Sequence, residues 1–339
     1  MEYRYKLASN RLPKLVCPSC GKAKHWQQYI DIETGDALPS QFGQCDNANK
    51  CGYACNPYSA GYKKEEWFKK DNTQPKAKPK QKPVCMPIEI LRTTMQPERY
   101  ARNTFVQNLY SRIAYPFPVE DLAQVTYTYR LGTIVGGYRA GAVTFPFIDS
   151  SDNVRTIQAK QFDSNNHTIS TDFVHSMLTH HYRRCRVPIP DWLRAYNAQE
   201  LKVSCLFGEH LLKYYPKNPV ALVEAPKTAA YCSLYYGLPS TDKDILWLAV
   251  YNKSSYTAEK VKVLQGRQVY VFPDLSFGAR TLRDWEAKSN IYEAMMTDTR
   301  FTVCDLLDRF ARPEDKQDGK DIADYLIKHD WRKFRTRAS

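Results

Sequence analysis

Five of the ten cysteines in this 339-residue chain crowd one stretch, at positions 17, 20, 45, 51 and 55. The surrounding residues 1–62 are rich in Gly, Asn and Pro and show little helical periodicity, so this stretch cannot build an adequate core alone. CPSCGK (17–22) is a CxxC turn closed by glycine, a geometry in which two thiolates reach one ion while backbone N–H groups point at the sulfurs. CDNANKCGY (45–53) supplies Cys45 and Cys51, again with glycine after the last thiol. Four thiolates complete the tetrahedral shell of Zn²⁺ and leave no open position. The spacing therefore predicts a structural zinc ribbon on Cys17, Cys20, Cys45 and Cys51, with folding coupled to metal binding. The second pair is spaced CxxxxxC, which leaves Cys55 and His25 as alternatives for the fourth ligand.

Reading thiols as ligands supposes a reducing compartment. The opening MEYRYKLASNRLPK lacks the apolar core of a signal peptide, and no run approaches 18 apolar residues. A soluble, cytoplasmic protein with no membrane partner is the expectation. The remaining cysteines (85, 185, 205, 232, 304) are isolated and read as small buried hydrophobes. The 49 Lys+Arg against 36 Asp+Glu leave a net charge of +13, which favours a polyanionic partner through counterion release.

Residues 63–86 form a linker. KKEEWFKKDNTQPKAKPKQKP (63–83) holds eight lysines and three prolines and cannot bury a core. Lys63 and Lys64 stand at its start as candidate nucleic-acid contacts. Between the cysteine pairs, HWQQYIDIETGDALPSQFG follows a strand–turn–strand pattern with aromatics Trp26, Tyr29 and Phe42. Trp26 is a candidate for stacking on single-stranded bases, and all three aromatics equally fit the ribbon's own minimal core.

Residues 87–204 read as an α+β subdomain. Apolar spacing predicts helices broken before Pro97 and ending before Pro116; GAVTFPFID and VRTIQAKQFD then read as two strands joined by SSDN. The stretch 163–204 reads as irregular, with HHYRRCR (180–186) as a basic knot whose Arg183 and Arg184 suit phosphate. A plain solvated loop is the alternative.

Residues 205–335 alternate regularly. Apolar strands PVALVE (219–224), DILWLAV (244–250), QVYVFPD (268–274) and RFTVCD (300–305) are separated by helical segments, among them APKTAAYCSLYYG closed by Gly237. The helical segments before and after these are FGEHLLKYY, TAEKVKVLQG (257–266), SFGARTLRDWEAKSN (276–290) and KDIADYLIKH (320–329). This alternation predicts a parallel sheet with helices on both faces, making the chain α/β in this half and α+β overall. In such sheets chemistry sits at the carboxyl ends of strands. Glu224, Asp274 and Asp305 fall there, and DKQDGKDIAD adds Asp318, Asp321 and Asp324 at the last helix. Converging carboxylates suit Mg²⁺, and Mg²⁺ suits phosphoryl transfer. Taken one at a time, each acid also fits a helix cap or first turn. Lys227, one turn beyond Glu224, is placed to meet a phosphate or a carboxylate.

VALVEAPKTAA resembles the first motif of Toprim domains, a strand ending in Glu before a small-residue helix, and VYVFPDLS resembles the second. GKDIADYLI is similar to the acidic helix entry of many phage and plasmid primases. A zinc ribbon ahead of a Toprim-like core is the layout of DnaG-type and phage-type primases. The blocks CPSCGK, YIDIETGD, CDNANKCGY, GAVTFPFID, LFGEHLL and VEAPKTA resemble a bacterial family of mobile elements and prophages with that layout. The resemblance implies template-directed primer synthesis, or a related phosphoryl transfer on DNA, as a nucleotidyltransferase. It makes Glu224 a metal ligand or acid/base and Asp274 a Mg²⁺ ligand, with Asp321 a third; Lys227 joins them as a catalytic candidate. Implied partners are single-stranded DNA, nucleotides and a separate helicase, since the sequence holds no GxxxxGK[ST] loop. Ser276 stands where the second Asp of the Toprim pair is expected, and Ala225-Pro226 replaces the usual small and polar residues. A Toprim nuclease and a non-catalytic single-stranded DNA or replisome binding module are the competing expectations.

Overall fold

The computed structural model describes residues 3–8, 12–47, 51–59, 62, 83–164, 166–199 and 203–335. They fall into two compact units. The first takes in the N-terminal segment up to 82 together with 276–278 and 312–319; the second takes in 83–275, 279–311 and 320 onward.

The first unit is an antiparallel meander of β1 (Tyr5–Leu7), β2 (Trp26–Asp31), β3 (Gly43–Cys45) and β4 (Ala54–Cys55). Its apolar content is small, as the sequence predicts: Tyr5, Leu38 and Phe42 form one cluster, and Trp26 packs with Cys17 and Cys45 in another. Gly43 faces Trp26 so closely that a Cβ there would lie 2.4 Å from the indole. Only glycine lets β3 lie flat on that ring.

The second unit opens with α1 (Ile88–Thr94), a 3₁₀ turn at Pro97–Arg102 and a short helix at Thr104–Gln107 that widens into a π turn. The breaks fall at the prolines, but a further helix, α2 (Val119–Thr128), follows Pro118. Proline is tolerated there because it precedes the first turn, where its missing N–H has no intrahelical partner. Next comes an antiparallel sheet in sequential order: β5 (Gly132–Thr133), β6 (Val143–Ile148), β7 (Val154–Phe162) and β8 (Thr168–Phe173). The β6–β7 hairpin turns at the predicted SSDN. The stretch 163–204 is not irregular: it holds β8, α3 (Val174–Cys185) and α4 (Asp191–Ala198). Strand β8 has no fully buried residue and is largely polar, so it lacks the apolar alternation by which strands are recognised.

The last part is a four-stranded parallel sheet in the order β10-β9-β11-β12, made of β9 (Val220–Val223), β10 (Leu246–Ala249), β11 (Gln268–Phe272) and β12 (Arg300–Val303). Its longer helices are α5 (Pro226–Tyr236) and α6 (Arg280–Met295), and α7 (Ile322–Leu326) closes it. Strands β9 and β10 are buried throughout, the pattern of strands covered on both faces. FGEHLLKYY and TAEKVKVLQG form only short helical turns, at Glu209–Leu211 and over Ala258–Leu264.

One apolar core runs through both sheets. Phe145 and Phe147 of β6 meet Phe207 edge-on, and Phe207 stacks on Tyr129 at 5.2 Å. The Tyr129 hydroxyl bonds Ser233 on α5 and donates to the Trp247 carbonyl on β10. Phe207 also exchanges backbone hydrogen bonds with Ala249. The expected boundaries shift accordingly. No core boundary falls at 204/205, and the linker ends before 86, because Val84 is held by Gln199 and Met86 pairs with Val154.

Candidate functional site

Both predicted knuckles of the ribbon form. Gly21 donates to the Cys17 carbonyl (2.9 Å) and Cys17 to that of Lys22 (3.0 Å), with Gly21 at φ 69°. In the second turn Cys51 and Gly52 both donate to the Asn47 carbonyl, and Gly52 sits at φ 56°. The Sγ atoms of Cys17, Cys20, Cys45 and Cys51 all lie within 4.8 Å of one another, with Cys17–Cys51 at 3.7 Å and Cys20–Cys45 at 4.0 Å. A tetrahedron of sulfurs about 2.3 Å from Zn²⁺ has edges of roughly 3.8 Å. The donor set fits structural zinc. Burial pushes the Cys45 thiol up to about 12; Cys51 falls to about 7, because the Tyr53 N–H and the Ser19 hydroxyl outweigh its own burial. Of the alternatives, His25 is held by Asp46 at 2.6 Å, and Cys55 pairs with Gly43 across β4, outside the quartet.

Trp26 is corrected from its role as a base-stacking residue. It is 1% exposed, donates its indole N–H to the Ser40 carbonyl, and has Tyr53 stacked on it at 5.6 Å. A ribbon with so few apolar side chains uses its largest one as core. Lys63 and Lys64 lie outside the described residues. Arg183 and Arg184 occupy the exposed last turn of α3, where cations favour the helix dipole and remain free to meet phosphate. His180 of the same helix meets the half-exposed Tyr138 edge-on at 5.8 Å.

The acidic positions gather at the parallel sheet. From β9 the chain crosses to β10 on one side and then to β11 on the other, so the order reverses between β9 and β11. Such a switch point opens a crevice at the carboxyl ends of the strands. Glu224 directly follows β9 and Asp274 follows β11, and Val223 is in register with Phe272. The two acids thus stand on neighbouring strands across that crevice. Burial raises the Glu224 carboxyl, opposed by the Lys253 N–H and charge, and Asp321 adds to the rise. Asp274 rises well above the usual carboxylate range through burial and the nearby charges of Glu224 and Asp321. Among the described residues no donor bonds the Asp274 carboxylate.

Asp321 and Asp324 are placed differently. They form the capping box of α7, each accepting the other's backbone N–H at 3.0 Å. Asp321, only 5% exposed, also accepts from the Thr228 hydroxyl. Lys227 Nζ lies 3.6 Å from Asp321 Oδ2 and 3.7 Å from Asp324 Oδ1. Burial alone would lower the Lys227 ammonium, but Asp321, Asp324 and Asp274 outweigh it and hold it above the ordinary lysine value.

Asp305 stays outside: its side chain is half-exposed beside Arg309 at 3.9 Å. Asp318 ends a short helix, Pro313–Asp318, that groups with the first unit. One residue of the site went unread in the sequence. Lys160 on β7 is pushed down by burial and by the Lys227 charge, and pulled up by Asp321, Asp274 and Glu224, so it shares their field. Its signal was present: a lysine in VRTIQAKQF, a strand otherwise buried along most of its length. Among the described residues the cysteines are the one group of three or more possible ligands already converging on a common point; the four carboxylates do not converge in that way.

No helix of the described residues is long and apolar enough to cross a membrane. No curated protein sequence matches this one. Among solved structures, the Aquifex aeolicus primase (zinc-binding and RNA polymerase domains) is similar at 13% identity and TM-score 0.36, over 93% of this chain and 78% of that one. The primase fragment of the bacteriophage T7 primase-helicase is similar at 10% identity and TM-score 0.32, over 90% and 98%. The E. coli primase catalytic core is similar at 16% identity and TM-score 0.36, over 71% and 81%. At such values a likeness of backbones says nothing by itself about shared chemistry. Residues 3–66 match a zinc beta-ribbon finger model. Residues 103–275, just over half of the 339, match the model described as "Domain of unknown function (DUF6371)" and hold Lys160, Glu224, Lys227 and Asp274. The chain belongs to the DUF6371 family.

Proposed function

We propose that this protein is a primase-like nucleotidyltransferase that joins nucleotides on single-stranded DNA, with Mg²⁺ as its cofactor. The observation that carries the reading is the pair Glu224 and Asp274 at the switch point of the parallel sheet, half-buried, close in register and, at Asp274, with no hydrogen-bond donor among the described residues. Two hard carboxylates on neighbouring strands fit a divalent oxygen-seeking cation, and Glu224 and Asp274 are the residues that would hold it. When bound, such an ion neutralises and orients phosphate oxygens. Lys160 of β7, whose ammonium lies in the field of the same carboxylates, is the cation this reading assigns to a phosphate. The zinc ribbon, the exposed Arg183 and Arg184 and the net charge of +13 support a single-stranded nucleic acid partner. The resemblance to primases of mobile elements and prophages points the same way and adds a separate helicase as a partner.

Ser276 and the engagement of Asp321 and Asp324 favour a second reading, a single-stranded DNA binding module whose acidic site does no chemistry. The test is an incubation of the full chain with single-stranded DNA, nucleoside triphosphates and Mg²⁺ beside Glu224→Gln. New oligonucleotides lost in the variant support the enzyme. A shortened template supports a nuclease, and tight, salt-sensitive binding with neither product rejects both catalytic readings.

A further inference from the structure

We propose that Lys227 is the resident cation of the Asp321–Asp324 pair, so that these two acids hold its ammonium instead of a divalent metal, and the metal-binding end of the site is Glu224 with Asp274 alone. The inference deepens the proposed function and rests on it only for the role of the bound cation.

Three of the pair's four oxygens accept protein hydrogen bonds, and the fourth faces the Lys227 ammonium. Asp321 Oδ1 accepts the Asp324 N–H at 3.0 Å, and Asp321 Oδ2 accepts the Thr228 hydroxyl and lies 3.6 Å from Lys227 Nζ. Asp324 Oδ2 accepts the Asp321 N–H at 3.0 Å, and Asp324 Oδ1 lies 3.7 Å from Lys227 Nζ. Mg²⁺ requires lone pairs at about 2.0–2.1 Å in near-octahedral array and tolerates little distortion. To bind at the two oxygens that face Lys227 it would have to displace an ammonium whose side chain is 16% exposed, while the other two oxygens stay committed to the cap of α7. One lysine bridging two carboxylates satisfies the same electrostatic demand without dehydrating an ion. At Asp274 the opposite holds, since among the described residues no donor reaches it, and two positions later the chain has the neutral Ser276. A site that keeps one metal-binding end and fills the other with its own lysine takes one divalent ion, not two.

The test is Mn²⁺ titration of the zinc-loaded full chain, with bound and free ion counted by electron paramagnetic resonance. The wild type is expected to bind one Mn²⁺, with affinity falling about tenfold or more in Asp274→Asn and changing less than about threefold in Asp324→Asn. Lys227→Met is expected to gain a second Mn²⁺, while Lys227→Arg, which keeps the charge, gains none. Lys227→Arg and the partly exposed Asp324→Asn keep the test decisive if Lys227→Met fails to fold. Loss of Mn²⁺ binding in Asp324→Asn, or a second ion in the wild type or in Lys227→Arg, overturns the proposal. A folded Lys227→Met still limited to one ion also overturns it. If the single Mn²⁺ binds as described but no oligonucleotides form, the lysine assignment stands and the enzymatic reading falls.

Discussion

The zinc ribbon and the acidic site both collect potential ligands of one sign, yet they solve opposite problems. In the ribbon, four thiols converge within 4.8 Å in a segment with almost no core, so the metal supplies the cohesion. In the acidic site the surrounding core is large, and the carboxylates sit at strand ends and at the cap of α7, on elements built around that core. The ribbon is folded by its ligands; the acidic site is carried by its fold. Removing a ligand should therefore unfold the first and leave the second standing.

The largest effect breaks the ribbon. Cys45→Ser, or zinc removal by a chelator, is expected to abolish the folding of the first unit, since structural zinc contributes about 10–16 kcal/mol in small modules. The second unit should keep its own thermal transition, which calorimetry would show as one transition lost and one unchanged. Retained zinc stoichiometry and near-ultraviolet dichroism in Cys45→Ser would contradict the comparison at its root.

Next in size, Glu224→Gln and Asp274→Asn are expected to lower oligonucleotide formation by about three orders of magnitude, roughly 4 kcal/mol of barrier, without loss of folding. Asp274→Asn should in fact stabilise the metal-free protein at neutral pH. The carboxyl's folded value is raised, so its contribution is most favourable below the ordinary aspartate range and is lost as pH rises toward the folded value. Denaturant melts at pH 8 and pH 4 decide this: a gain at the higher pH alone is expected, and a loss there is the contrary result.

His210 reads the second unit's core by itself. It is buried, its Nε2 lies 3.2 Å from the Thr128 carbonyl, and burial lowers it from 6.5 to about 4. A base depressed in the folded state contributes stability that is present above pH 6.5 and is lost as pH falls toward 4. The shift corresponds to about 3 kcal/mol. His210→Gln should flatten that slope in urea melts, and an unchanged slope would exclude His210 as its source. The smallest effect concerns partners. Replacing Arg183 and Arg184 with alanine is expected to reduce the slope of log affinity for single-stranded DNA against log salt by about 1.4, or roughly 0.7 per lost phosphate contact. An unchanged slope would remove α3 from the nucleic-acid surface.

What the sequence made legible follows the same division. The thiol quartet could be read from spacing because its ligands sit in two short turns, and glycine marks the end of each. The parallel strands were readable because burial on both faces leaves continuous runs such as VALV and LWLA. Lys160 was missed because its place in the site depends on how an antiparallel sheet meets a parallel one, which no local pattern encodes. Trp26 was ambiguous because an aromatic in a tiny module looks the same in sequence whether it faces inward or outward. Strand β8 was overlooked because its partner on β7, not its own hydrophobicity, holds it in place.

The core shared by the two sheets has a consequence for anyone dissecting this chain. A fragment beginning at residue 205 would contain Glu224, Lys227, Asp274, Asp321 and Asp324, and by motif would pass for a complete catalytic half. It would lack Lys160, and it would strip Phe207, Ser233 and Trp247 of Tyr129 and of the β6 phenylalanines that cover them. Such a fragment should be insoluble, and its inactivity would say nothing about the chemistry. The shortest stretch in which the acidic site can be judged starts near Pro83, where Val84 and Met86 first tie the chain to the antiparallel sheet and its flanking helices.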